Sequence, residues 1–149
     1  MQDYGFAMHD GKRRLLLHGA LLILLALATG ALIPVFRNPR MGLAAHTGGV
    51  MVGMLLVLYG LVWGEVRLSE RMARFGVLLA LWGGWLNYVG LVLAAALGTS
   101  SMTPIAGAGH AGSATSELLV NAVFVMGAVD ILAAAGIVVV GLASRRSTA

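Results

Sequence analysis

Four stretches of the chain, residues 15–36, 42–63, 75–98 and 118–143, each run for more than twenty residues, and Asp130 is the one charged side chain among them. At 1.5 Å per residue, a helix needs about 20 mostly apolar residues to cross about 30 Å of hydrocarbon. All four reach that length and leave little chain for anything else. The expectation is an all-α integral membrane four-helix bundle, with residues 1–149 forming a single four-span domain.

Composition closes the alternatives. Charged residues make up 11% of the chain and hydrophobic ones 59%, with a mean hydropathy of +0.90. A water-soluble domain needs about 25% charged residues to clothe its surface, and a disordered chain is not this apolar. The absence of cysteine removes disulfides, zinc thiolate sites, iron–sulfur clusters and thiol nucleophiles. The first stretch is too long for the apolar core of a signal peptide, and Arg37-Asn38-Pro39-Arg40 follows it in place of a small-residue cleavage site.

Four crossings put both termini and the connection between spans two and three on one side. That side carries Lys12, Arg13, Arg14, Arg67, Arg71, Arg74, Arg145 and Arg146, against Arg37 and Arg40 opposite. Basic residues favour the cytoplasmic side, so both termini are expected in the cytoplasm, with the protein multi-pass in its membrane. The same distribution reads the net charge of +4 as membrane-orienting, with lipid as the partner and no nucleic acid.

Gly49 and Gly53 lie four apart, and Gly83 and Gly90 seven apart, so each pair shares a helical face suited to close approach in lipid. Trp63 falls near an expected interface. Trp82 and Trp85 lie deeper, where an aromatic side chain packs between helices or lines a cavity. The polar connection at residues 99–116 is a flexible linker or a lid, with Pro104 and His110 bracketing a small apolar run.

Polar groups inside lipid are costly and draw attention to themselves. His18 reads as an interfacial or capping histidine near the basic end. Asn121, four residues after Glu117, shares its face near the opposite end and suits either a helix–helix hydrogen bond or a substrate contact. Asp130 needs to be protonated or paired. It lies nine residues from Asn121, about half a turn out of phase, and so faces a different neighbour.

His46 stands apart because Gly48, Gly49 and Gly53 lie within two turns of it. A haem edge needs a neutral imidazole nitrogen and little bulk around it, although a plain packed histidine satisfies the same spacing. The chain has no C-x-x-C-H and no H-E-x-x-H, so a non-covalent haem on a single histidine is the metal centre it could support.

The run Asn38-Pro39-Arg40-Met41-Gly42-Leu43 leading into Ala45-His46, with Gly49-Val50-Met51 and Gly53, resembles hydroxylaminobenzene mutases, as does the run from Thr103 and Pro104 to His110. The similarity covers roughly residues 14–141. These are small bacterial membrane enzymes that rearrange arylhydroxylamines to ortho-aminophenols in nitroaromatic degradation. A more distant similarity, through Ala45-His46-Thr47-Gly48, Gly53-Met54, Gly84-Trp85, Asn87 and Gly90, is to styrene oxide isomerases, four-helix proteins whose haem b sits on a histidine of the second helix at a trimer interface. Together the resemblances imply His46 as axial ligand with Gly49 and Gly53 beside the cofactor, Asn87 and Tyr88 as catalytic-site residues, and a homo-oligomer, a trimer by the more distant likeness.

The chain departs from the pattern of both families at Val52, where an asparagine is expected six residues after the ligand, and from the isomerase pattern at Gly83 and Leu91, which stand for a pocket aspartate and tyrosine. Those losses argue against epoxide opening. Asn87, Tyr88 and Tyr59 remain as polar contacts or as packing residues. The resemblance therefore implies an intramolecular mutase acting on a small aromatic substrate, with ferric haem supplying a Lewis acid. The rival readings are a haem-dependent epoxide isomerase and a non-catalytic transporter or haem-binding subunit.

Overall fold

The computed structural model describes residues 2–144, with side chains from residue 10 onward, so Arg145 and Arg146 lie outside the described residues. It is helical throughout: α1 (Gln2–Ala31), α2 (Pro39–Val62), α3 (Glu70–Leu97), the single turn α4 (Pro104–Gly107) and α5 (Ala114–Ala143). Four of these, counted from Asp10 in α1, are long and apolar enough to cross a membrane.

The helix ends depart from the expected spans for local reasons. α1 stops at Ala31, before the expected residue 36, because Pro34 lacks an N–H and the chain tightens there into a 3₁₀ turn, Ile33–Val35. α2, α3 and α5 begin earlier than expected. Asn38, Ser69 and Ser113 each cap a helix by accepting from the backbone N–H three residues on, which draws polar residues into the first turns. Gly98, in the left-handed region at φ 70°, ends α3.

Two antiparallel pairs make up the fold. In the first, α1 and α2 meet where the backbones of Gly19 and Gly53 touch: a Cβ on Gly19 would lie 2.7 Å from the Gly53 carbonyl oxygen. Ala26 meets Gly49 one level on, and Leu16 meets Gly60 at the other end. In the second, α3 and α5 cross on glycine again, with Gly83 against Asp130 and Ile131, Gly90 against Phe124, and Gly127 against the Asn87 backbone. Each glycine pair read from the sequence thus marks a real crossing face.

α3 joins the pairs, and Leu22, Leu56, Ala80 and Ala134 belong to the resulting core. α5 packs chiefly against α3 and leaves Leu118, Met126, Leu132 and Val139 outward. Trp63 is fully buried, set between Gly11 and Gly76. Trp82 faces outward, whereas Trp85 turns inward to α1.

Candidate functional site

His46 occupies the seam between α2 and α1, and its surroundings fix its chemistry. Its Nδ1 lies 2.8 Å from the Ala26 carbonyl oxygen. A carbonyl only accepts, so Nδ1 carries the proton and the Nε2 lone pair is left available. No described residue bonds to Nε2, and the ring is half-buried. Metal-bound histidines are commonly held this way, with the second nitrogen donating to a carbonyl. The residues present fit a haem held by one imidazole, and among the described residues no cluster of three or more His, Asp or Glu side chains could hold a metal ion.

The glycines expected beside His46 serve helix packing. Gly48 faces Leu91, Gly49 receives the Tyr88 ring against Ala26, and Gly53 receives α1. The glycine that the His46 ring actually meets is Gly30 on α1. It lies sixteen residues upstream in another span, where local spacing gives no sign of it.

Tyr88 is buried with its hydroxyl 2.6 Å from Thr29 Oγ1. Thr29 commits its own proton to the Leu25 carbonyl at 2.9 Å, so Tyr88 is the donor in that pair. Tyr88 and His46 therefore dock on successive turns of α1. Asn87 does not join them. It sits half-buried on the side of α3 that meets α5, opposite Gly127, and its side chain has no hydrogen-bond partner among the described residues. Val52 packs beside Leu56 near Gly84, and Tyr59 packs on the core.

His18 has a partner on another helix. It is half-buried, and its Nδ1 accepts from the Trp85 indole N–H at 3.0 Å, with the two rings edge to face. Asp130 faces α3 at Gly83 with no ion pair or hydrogen bond to a described residue, well away from Asn121.

The two quoted sequence runs meet in space. Asn38 is fully buried, and its side chain caps α2 through Oδ1 while Nδ2 donates to the Gly107 carbonyl at 2.9 Å and the Ala106 carbonyl at 3.3 Å. Its backbone N–H donates to Ala95, and Arg37 donates to Leu97 at the end of α3. The connection is therefore folded back over α2, as a lid would be. It walls an open groove of about 530 Å³ between Arg40, Leu43, Ala44 and Thr47 on α2 and the segment from Met102 to Ala106.

Glu117 ties the other side of that connection, accepting from the backbone N–H groups of Ser100, Ser101 and Gly112 and from the Ser101 hydroxyl. The same hydroxyl lies 3.0 Å from Asn121 Oδ1, so the shared face of Glu117 and Asn121 holds the connection. His110 turns back on α4, its Nδ1 donating to the Gly107 carbonyl at 3.1 Å.

Comparison with known proteins gives a consistent picture. The family model described as styrene oxide isomerase matches residues 11–143. Hydroxylaminobenzene mutase HabB of Ectopseudomonas oleovorans is 39% identical over 142 residues, covering 91% of this chain and 85% of that protein. Hydroxylaminobenzene mutase HabA of the same organism is 36% identical over 122 residues, or 81% of this chain and 83% of that protein. No solved structure matches the chain.

Proposed function

The chain belongs to the styrene oxide isomerase family, and from that membership we propose that this intramolecular isomerase converts hydroxylaminobenzene-type arylhydroxylamines to ortho-aminophenols, with haem b held non-covalently on His46. The observation that carries the reading is the proton fixed on His46 Nδ1 by the Ala26 carbonyl, which leaves Nε2 as an unprotonated ligand atom. When bound there, ferric haem would supply a Lewis acid toward the N–O bond.

The rest of the work falls to the chain. Seating the imidazole on α1 orients it, and the Thr29–Tyr88 bond holds α3 against the same turns of α1. The apolar spans draw a neutral arene out of water and keep water from the reacting atoms. Asn87 is the proposed polar contact to substrate. Asn87 lies toward α5 and His46 toward α1, and the proposed assembly is a homo-oligomer, a trimer by analogy with the wider family. The absence of polar side chains at Gly83 and Leu91 favours the arylhydroxylamine over an epoxide.

Purified protein tests the reading directly. A Soret band that is lost with His46→Ala, together with conversion of hydroxylaminobenzene to 2-aminophenol without nucleotide, is expected. Conversion of styrene oxide in place of hydroxylaminobenzene would move the assignment to epoxide isomerisation. The proposed location is the bacterial cytoplasmic membrane, with both termini inside.

A further inference from the structure

In a helix the carbonyl of one residue points toward the residue four places on, whose side chain flanks it. Ala26 and Gly30 stand in that relation on α1. The His46 ring reaches the Ala26 carbonyl through the space where a side chain at position 30 would be. A Cβ there would lie 2.7 Å from Nδ1, 3.0 Å from Cε1 and 3.3 Å from Cγ of His46, so a methyl group and the observed ring position exclude each other.

We infer that Gly30 is a positioning residue that selects the Nδ1–H tautomer of His46 by uncovering the Ala26 carbonyl, and so presents Nε2 for ligation. The inference rests on the haem reading for its purpose, but its physical content concerns the imidazole alone. Thr29 and Thr47 show what competes with it. Each turns its hydroxyl onto the carbonyl four residues back, at 2.9 Å to Leu25 and 3.0 Å to Leu43. A serine at position 30 would have the same reach to Ala26 and would take the acceptor from His46.

The test uses full-length protein in lipid nanodiscs, free of haem, with nitrogen-15 histidine and tryptophan and spectral assignment of His46 and Trp85 by comparison with His46→Gln and Trp85→Phe. The parent is expected to show Nδ1–H with Nε2 unprotonated. Gly30→Ala and Gly30→Ser are expected to lose that dominance and to populate Nε2–H. Alanine favours a helix more than glycine does, and the displaced group is a side chain, so α1 itself is not penalised. Retention of the Trp85 indole signal, which reports the His18 contact on the same helix, checks this.

A parent ring protonated on Nε2, or variants whose ring nitrogens match the parent's, would overturn the inference. Haem titration then separates it from the functional reading. A ten- to hundredfold weaker affinity in Gly30→Ala, about the scale seen when groups that orient metal ligands are removed, supports both. The expected tautomer change, in a protein whose parent gives no saturable Soret band, upholds the role of Gly30 and overturns the haem assignment.

Discussion

Asn38 Nδ2 and the Gly107 carbonyl oxygen lie 2.9 Å apart, joining the start of α2 to the end of α4 across 69 residues of sequence. The same side chain accepts from Met41 through Oδ1, so one amide holds both a helix cap and the connection between α3 and α5. Asn38→Asp keeps the accepting oxygen and loses the donor. Hydrogen exchange around α4 should rise in that variant while the first turn of α2 stays protected. Asn38→Ala should expose both and lower stability by about 1–3 kcal/mol, since it leaves buried groups unpaired. Unchanged exchange around α4 in Asn38→Asp would count against the latch.

Both histidines in the quoted motifs give Nδ1 to a backbone carbonyl, but His46 does so across the α1–α2 seam inside the spans, while His110 is folded onto its own short helix. His46→Ala should therefore remove most bound haem, and His110→Ala should leave it close to the parent level. Absorbance of the two purified variants at matched protein concentration decides it, and equal loss in both would reject the assignment.

Gly53 and Gly136 offer a matched pair for the crossing of α1 and α2. A methyl on Gly53 would meet the Gly19 carbonyl oxygen at 2.8 Å, whereas one on Gly136 has open space around it. Gly53→Ala should cost about 1–3 kcal/mol through overpacking against backbone. Gly136→Ala should be neutral or slightly stabilising, by up to about 1 kcal/mol. Unfolding in mixed micelles gives both values, and a neutral Gly53→Ala would mean that the helices do not meet there.

The outline of this fold is legible in the sequence because lipid leaves few choices: uncharged runs give the helices, and paired glycines give their crossing faces. Helix starts are less so, since Ser69 and Ser113 pull polar turns into α3 and α5 that an apolar window omits. His46 stands out from its neighbours in the sequence, but the glycine beneath it belongs to another span. His18 shows the same limit. Its distance from Lys12 suggests an interfacial or capping group, and only the placement of Trp85 on α3 reveals a half-buried acceptor. A residue's own helix can suggest its depth, but its partner comes from the tertiary fold.

Lys12, Arg13, Arg14, Arg67, Arg71 and Arg74 gather at one end of the bundle, and Arg37 and Arg40 at the other. A reporter fused after residue 149 should therefore be active only in its cytoplasmic form. Activity of a periplasmic reporter at that position would invert the molecule and place the connection over α2 on the inner face.

The source of the product oxygen tests whether the reaction stays within one molecule. In acidic water an arylhydroxylamine can lose its hydroxyl and take up solvent, chiefly at the para carbon. Inside apolar spans that exclude water, the departing oxygen has the ortho carbon as its near neighbour. Hydroxylaminobenzene turned over in oxygen-18 water should give 2-aminophenol with negligible label. Extensive incorporation would rule out the intramolecular course.

The Glu117 carboxylate gathers its donors from Ser100, Ser101 and Gly112, all of which precede it in the chain. During synthesis, α1, α2, α3 and the turn of α4 leave the ribosome before the group that ties the connection between α3 and α5 together. Asn38 can hold α4 early, but the stretch between Ser100 and Gly112 waits for the last helix. These hydrogen bonds can therefore form only after the start of α5 has been made, which leaves this connection dependent on the last span.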